Sequence, residues 1–555
     1  MIFNSPYPSI PRAPAQDIPT FIFEYADKHS VFAKNPDLVA LSEKSVSLTY
    51  SELRQMTDQV ASGLVNNLGL KQKDYILVLL PNSVYYAPIL LGALMAGLVC
   101  ITANPAYTEG ELAHLFNLCQ PSAIVTVSDN YRLVEKVALS TKNQLLQGRI
   151  VTIDQSERGI FLFDILCDKP FDKQNLETKT AFEERPAVLV LSSGTTGKPK
   201  GVELSHANII SNLLQNMVFE DHESAVDLLT QRSPYHSCIA CLPYFHIYGL
   251  LLVLLFSIAR GRRQIVMPKF DIELLCQLTE KHKIAVAHLV PPIIIQLAKN
   301  PVVNRYNLTS LAYIVSGAAP LTQETQREVQ KRLNCIVAQA YGLSEASPVT
   351  HRATTDSVPP GSTGYLLPSM HCKIIDESGK LLGKNMIGEI CLSGPNIMIG
   401  YFNNPEATRQ TIDSDGFLHT GDVGYVDERG CYYISDRKKE LIKYKGYQVA
   451  PAELEGLLMD HPAVLDAAVI PVYSRSQETE FPKAFVVVRQ DFASSSLVDD
   501  IAKWVASRVA PYKALRGGIE IIDAIPKSAS GKILRKVLRE RQAAEDRLTK
   551  TTAKL

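Results

Sequence analysis

Residues 192–201 read Ser-Ser-Gly-Thr-Thr-Gly-Lys-Pro-Lys-Gly, directly after the apolar run Ala187-Val188-Leu189-Val190-Leu191. A short uncharged run of this kind is the pattern of a strand buried on both faces, and such strands belong to parallel sheets covered by helices. The glycines let successive backbone N–H groups converge, Thr195 and Thr196 add hydroxyl donors, and two lysines add positive charge; together these suit a polyphosphate. A Walker A loop is excluded, because it needs four residues between its glycines and a Ser or Thr after the Lys. Here two residues intervene and Pro199 follows Lys198. A flexible Ser/Thr/Gly surface loop is the competing reading, but roughly nine specified positions at about 5–7% usage each do not coincide by chance.

At 555 residues the chain is too long for one core, so two or three domains are expected. Its 57 basic and 57 acidic residues, with no basic stripe, exclude an electrostatic nucleic-acid binder. The ten cysteines are scattered, and Cys238 and Cys241 sit in an apolar run that reads as core strand. Free thiols in a reducing compartment follow, and no spacing suits zinc. Residues 1–20 are Pro-rich and lack the pattern of a cleavable signal. Two uncharged stretches, 85–103 and 237–259, are long enough to suggest a membrane transporter. Pro88, Gly92 and Gly97 break the first into a helix and a strand, and Pro243, His246 and Gly249 interrupt the second, so no transmembrane segment is expected.

Strand-like runs at 75–80, 99–102 and 123–127 alternate with helical stretches at 50–68 and 110–118, which implies a parallel sheet covered on both faces. Runs at 264–267, 286–289 and 312–315 continue the alternation. Short strands with Gly-rich turns between 359 and 433 predict a small β-barrel or antiparallel subdomain. The charged segment 436–440 reads as a hinge. Beyond it, 451–459 and 497–509 read as helices and 467–472 and 484–488 as strands.

Three further blocks carry chemistry. Gln339-Ala340-Tyr341-Gly342-Leu343-Ser344-Glu345 pairs an aromatic ring for a base with a carboxylate for a hard cation. His419-Thr420-Gly421-Asp422 offers a carboxylate for sugar hydroxyls, with Arg437 as a cationic partner. Pro526-Lys527-Ser528-Ala529-Ser530-Gly531-Lys532 places a lysine in a Gly-Lys context. Singly, a Thr-Gly-Asp is a turn and a lone Glu or Lys a solvated charge. In this order, together with the loop at 192–201, they resemble the adenylate-forming enzymes: acyl-CoA synthetases, 4-coumarate:CoA ligases, firefly-type luciferases and peptide-synthetase adenylation domains. The resemblance covers most of the chain. It departs at Ala340 and Ser344, where the pattern usually has Gly and Thr.

The resemblance implies an α/β fold. A large N-terminal AMP-binding domain, 1–435, would consist of two doubly wound α/β subdomains plus a small β-barrel, followed by a hinge at 436–440 and a smaller mobile α+β domain at 441–555. It implies attack of a carboxylate on the α-phosphorus of ATP, giving an acyl-adenylate and pyrophosphate, and then transfer to CoA with release of AMP. ATP and CoA are the implied co-substrates and Mg²⁺ the cofactor. On matching positions Ser192, Ser193, Gly194, Thr195, Thr196, Lys200, Ala318, Gln339, Ala340, Tyr341, Ser344, Asp422, Arg437 and Lys439 would bind the nucleotide, with Thr196 and Glu345 on the metal. Lys532 would bridge carboxylate and phosphate oxygens. His246 alone reads as a core histidine; the resemblance makes it orient the acyl carboxylate and gate its pocket. Residues 439–455 look like the segment that, after rotation of the small domain about Lys439, brings Lys443 and Gln448 over the adenylate, while Lys269, Lys445 and Gly446 meet CoA.

The implied acyl pocket is Tyr248, Gly317, Ala340, Pro348 and Val349, small or apolar residues that suit an aromatic or medium-chain carboxylic acid. Leu242 and Pro243 stand where amino-acid-activating domains carry an Asp, so an amino-acid substrate is not expected. The tail Ala553-Lys554-Leu555 is a near relative of the Ser-Lys-Leu peroxisomal address, which predicts an import receptor as partner and the peroxisome as location, or the cytoplasm if the match is accidental. Competing readings are a luciferase-like fate for the adenylate, a medium- or long-chain fatty acyl-CoA synthetase, and a non-catalytic nucleotide-binding relative. The last is disfavoured by the joint presence of Lys532, Glu345 and Asp422.

Overall fold

Apolar runs of three to seven residues build two large sheets in the computed structural model, which describes residues 1–29, 35–143, 148–155, 158–173, 182, 184–192, 200–222, 231–233, 236–353, 358–445, 447–474, 477–492, 496–528 and 531–552, the side chains of 490 and 546–552 excepted. In the first sheet Pro186–Ser192, Val99–Thr102, Tyr75–Val78, Ala123–Thr126, Ile150–Thr152 and Ile160–Phe161 run parallel in that spatial order. Lys200–Ser205 and Gly400–Tyr401 complete it antiparallel. In the second, Ile336–Gly342, Tyr313–Ser316, Val286–Leu289, Cys238–Ala240, Gln264–Val266 and Val39–Glu43 are parallel. Antiparallel strands lie at both of its edges. The central strands are buried along their length, as near-continuous Val/Ile/Leu/Ala runs require.

Both uncharged stretches belong to this core. Tyr86–Met95 is a fully buried helix leading into Val99–Thr102. In the second stretch the chain passes from Cys238–Ala240 into a wide π-helical run, Gly249–Leu255, continued by Phe256–Ala259, all buried. No helix among the described residues is long and apolar enough to cross a membrane. All ten cysteines are free, and Cys238 and Cys241 are buried.

The region 359–437 forms a five-stranded antiparallel sheet, Ile2–Asn4, His371–Ile375, Gly388–Ser393, Leu418–Val426 and Tyr432–Arg437. Its first strand comes from the start of the chain, which periodicity alone did not predict: Ile2 to Asn4 is three residues long and gains its partners only through tertiary contact. Beyond 440 a hairpin, Ile442–Tyr444 with Tyr447–Val449, and a three-stranded sheet, Val464–Ser474, Thr479–Val488 and Ile519–Ile521, pack under the helices Pro451–Met459 and Leu497–Ala506. This part has hydrophobic clusters of its own, centred on Leu454, Val469, Val486 and Ile501 and on Ile470, Phe485 and Leu538.

Gly249 marks a very tight approach in the core. A Cβ there would lie 2.1 Å from the Pro243 carbonyl oxygen, a backbone atom that cannot swing aside. Gly249→Ala is therefore expected to cost about 1–3 kcal/mol of stability. Gly383→Ala, where a Cβ meets nothing within 4 Å, should stay within about 0.5 kcal/mol. Thermal unfolding of the two variants beside the parent checks the contrast, and equal midpoints would refute it.

Candidate functional site

Parallel strands of the second sheet end together, and an open α/β sheet leaves its crevice at such carboxyl ends. Leu242, Pro243, His246, Ile247 and Tyr248 follow Cys238–Ala240; Val290 follows Val286–Leu289; Gly317 and Ala318 follow Tyr313–Ser316; Ala340, Tyr341 and Gly342 end Ile336–Gly342. With Gly249, Leu343, Ser344, Pro348 and Val349 they line a cavity at these strand ends. Lys532, from the far end of the chain, completes the lining.

In the expected acyl pocket the Tyr248 hydroxyl donates to the Val315 carbonyl at 3.0 Å. Its ring packs so closely over Gly317 that a Cβ there would lie 2.9 Å from it. Gly317 thus sets how far the tyrosine can settle, and the Ala340 methyl takes up space on the adjoining wall. His246 stacks at a tilt on Phe245, ring centroids 4.7 Å apart, and burial together with the Lys532 charge pushes its pKa down to about 4. Burial, and then the Arg437 charge, also lower the pKa of Lys532, with Asp422, Glu345 and Glu440 opposing.

Among the residues expected to hold the nucleotide, Asp422 and Arg437 are register partners of adjacent strands, with Arg437 Nε 3.5 Å from Asp422 Oδ1. The Tyr341 hydroxyl donates to Asp422 Oδ2 at 2.6 Å, and the Asp422 N–H donates to Thr420 Oγ1 at 3.0 Å. Asp422 is a buried carboxylate whose pKa burial raises while Arg437 and Tyr341 hold it down. Ser192 and Lys200 are cross-strand partners at the two ends of the expected phosphate loop. Ser193, Gly194, Thr195 and Thr196 lie outside the described residues, as do Gly446 and the tail Ala553-Lys554-Leu555. A strand, rather than the helix of a Walker A loop, follows that loop. The Lys200 ammonium sits 4.7 Å over the Tyr401 ring, and the Tyr401 hydroxyl donates to Glu345 Oε1 at 2.8 Å. Tyr401 thereby couples the loop's exit to Glu345, a link that sequence reasoning missed; the only local signal is a tyrosine next to Gly400, ahead of the helix-opening Asn404-Pro405.

Gln339 is a correction. It is buried, accepts from Leu321 N–H at 3.0 Å and donates to the Leu321 carbonyl at 3.1 Å. These bonds hold it against the Leu321 turn, and it does not line the cavity. Lys443 and Gln448 are cross-strand partners on the exposed hairpin, with Gln448 donating to Glu377 at 2.8 Å. Lys269, Lys439 and Lys445 are exposed as well, and none of these five lines the cavity. Val290 and Leu343 line it without having been expected to, because an apolar residue after a strand carries no signal of facing a cavity.

With its pKa near 4, His246 is neutral in the folded protein, where an unfolded histidine titrates near 6.5. Because the folded value lies below the unfolded one, stability is fully present above about pH 6.5 and falls as the pH drops toward 4. The His246 imidazole should therefore show no titration between pH 6 and 8 by NMR, and a midpoint near 6.5 would contradict its burial beside Lys532.

A family model described as AMP-binding enzyme matches residues 28–402, and one described as AMP-binding enzyme C-terminal domain matches residues 453–532. The chain is 39% identical over 558 residues to a probable 4-coumarate–CoA ligase 1 of Dictyostelium discoideum, covering 97% of each chain. It is also 39% identical over 560 residues to 4-coumarate-CoA ligase 1 of Narcissus pseudonarcissus, covering 98% of this chain and 97% of that one. Among solved structures, ATP-bound MatB from Rhodopseudomonas palustris superposes with a TM-score of 0.80 at 27% identity, covering 95% of this chain and 99% of that one. The cavity at the strand ends, the lysine reaching it from the C-terminal part and these matches agree: the chain belongs to the adenylate-forming AMP-binding enzymes, together with the 4-coumarate–CoA ligases.

Proposed function

We propose that this protein is an ATP-dependent acid:CoA ligase that activates aromatic carboxylic acids, of the cinnamate, hydroxycinnamate or arylacetate kind found among phenylpropanoids. The observation that carries this reading is the position of Lys532, a cation lining an apolar slot at the strand ends beside neutral His246. Two anions must meet for an acid to react with ATP, and a desolvated ammonium between them offsets their repulsion far better than one in water. The acid would lie with its carboxylate toward Lys532 and His246 and its apolar end against Tyr248, Gly317 and Ala340. A carboxylate oxygen attacks the α-phosphorus, the new P–O bond forms, and the bond to pyrophosphate breaks. Neutral His246 offers no competing charge for that carboxylate, and Asp422 with Arg437 would hold the ribose and Tyr341 the base.

The residues fit a Mg²⁺ ion that takes most of its ligands from phosphate and water. Glu345 supplies one hard oxygen, positioned by Tyr401, and the described residues contain no group of three or more His, Cys, Asp or Glu that could cage a metal. When bound, the ion would neutralise charge on the triphosphate. The second half-reaction needs a thiolate at the adenylate carbonyl. The exposed hairpin bearing Lys443 and Gln448 supports a rotation of the part beyond the hinge at 436–440, carrying Lys532 out and the hairpin in, with Lys269, Lys445 and Gly446 along the CoA path. Through Ala553-Lys554-Leu555 the enzyme would be taken by a peroxisomal import receptor, placing its thioesters where side chains are shortened.

AMP release with Mg-ATP and a panel of aromatic acids, with and without CoA, tests the reaction: turnover should require both acid and CoA. Lys532→Ala is expected to lower adenylate formation by about 10²–10³-fold while thioester formation from supplied acyl-AMP survives. Lys443→Ala should give the converse. Equal loss of both half-reactions in each variant would rule out the two-conformation assignment.

A further inference from the structure

Tyr401 meets two opposite charges at once. The Lys200 ammonium lies 4.7 Å over its ring, and its hydroxyl donates to Glu345 Oε1 at 2.8 Å. The backbone around it fixes this placement. Met398 N–H donates to the Glu345 carbonyl at 2.9 Å, Ile399 N–H to the Glu203 carbonyl at 3.0 Å and Phe402 N–H to the Gly201 carbonyl at 2.8 Å. Residues 398–402 therefore tie the turn Ser344–Ala346, which bears Glu345, to the strand Lys200–Ser205, which leaves the expected phosphate loop. Tyr401 is itself the register partner of Val202, and its N–H donates to Thr408 Oγ1 at 2.9 Å. A ring carried on this frame is stiff, whereas Lys200 and Glu345 reach it on flexible stems.

A glutamate with both oxygens free samples many rotamers and loses that freedom on taking a cation. Here the phenol fixes one oxygen, and Glu345 Oε2 accepts from no other described residue, so it stays available to a ligand. Lys200 and Glu345 touch the same tyrosine and carry opposite charges, yet they form no ion pair with each other. Pairing would occupy both, leaving no ammonium for phosphate oxygens and no carboxylate for a hard cation. A phenol suits the gap because its parts differ: the π face attracts a cation and the hydroxyl donates to an anion. An apolar side chain would do neither, and a charged one would capture one of the two.

We propose that Tyr401 is a positioning residue for ATP activation, one that keeps Lys200 and Glu345 apart and holds each ready for the triphosphate and its Mg²⁺. It acts through those two side chains and does not touch the reacting atoms. The proposal rests on the reading above in which Lys200 meets the nucleotide and Glu345 the metal.

Calorimetric titration of the full chain with ATP, once in EDTA and once with saturating Mg²⁺, gives two affinities. Their ratio is the factor by which the metal tightens binding, and neither acid nor CoA is needed. Tyr401→Phe keeps the ring and loses the hydroxyl. Its metal-free affinity should stay within about twofold of the parent's, while the affinity with Mg²⁺ falls about tenfold. Tyr401→Leu removes the ring as well and lets Lys200 pair with Glu345, so metal-free binding should also weaken, by about three- to fivefold. In a Glu345→Gln background, where no carboxylate is left to aim, adding Tyr401→Phe should leave the Mg²⁺ factor unchanged. A merely structural role would lower both affinities equally and in either background. Equal losses in the two titrations, a Mg²⁺ factor unchanged in Tyr401→Phe or absent from the parent, or metal-free binding in Tyr401→Leu equal to the parent's overturns the proposal. Where the phenylalanine variant fails to fold, the leucine variant carries the same test of the Mg²⁺ factor. A factor lost in Tyr401→Phe, in a protein whose parent releases no AMP with any acid and CoA, would refute the ligase reading and leave the role of Tyr401 standing. CoA-dependent turnover with the factor unchanged in Tyr401→Phe would do the reverse.

Discussion

A lysine from the C-terminal part must be held, partly desolvated, in a cavity built by the N-terminal part, and much of the structure serves that one placement. The turn around Lys532 is closed by a hydrogen bond from Ser528 N–H to the Lys532 carbonyl at 2.8 Å and by Lys527 paired with Asp466 at 2.6 Å. Gly531 lies so near Val290 that a Cβ there would be 3.2 Å from the valine side chain, so the cation arrives at the strand ends with its backbone close to that wall. Three residues on, Arg535 spans Glu440 and Glu455, each at 2.6 Å, and so ties the lysine turn to the segment beside the hinge and to the helix Pro451–Met459. A buried pair adds little net stability against an apolar substitute, but breaking one strands a charge. Its value here is geometric, because it keeps the Lys532 turn and the hinge region in one frame.

Among the described residues, several of the contacts between the two parts are polar hydrogen bonds. Lys299 donates to the Met459 carbonyl at 3.0 Å, Gln448 to Glu377 at 2.8 Å, and the Ala452 N–H to Asp436 Oδ2 at 2.8 Å. Apolar cores lie within each part, with Ile295 among the side chains that bridge them. Interfaces of this kind exchange partners at low cost, since water replaces each hydrogen bond that is lost. That physical property is what a two-conformation mechanism requires, and the exposed hairpin at Lys443 and Gln448 is the surface it would bring into use.

The halves of the site proposed for nucleotide and acid share one strand. In Ile336–Gly342, Ala340 pairs with Arg352 and stands on the acyl wall, while its neighbour Tyr341 turns its hydroxyl to Asp422. The two neighbours thus present different groups to the site, and a one-residue slip would exchange them. Gln339 differs again: it lies in the motif yet points into the scaffold.

Local chemistry alone determined a good deal. The strand before the phosphate loop, the fully buried helix Tyr86–Met95 and the helix Pro451–Met459 were legible because period, length and turn residues act over a few positions. The motif blocks likewise named Lys532, His246, Asp422 and Glu345 as candidates, since residue type and order survive in the chain itself. What only the tertiary structure decided is which of these meet. The gathering of Lys532, His246 and Ala340 in one cavity and the Tyr401 link between Lys200 and Glu345 both depend on residues far apart in sequence. Such contacts arise from sheet order and register, which are set by the packing of the whole core, and no local window of the chain contains them.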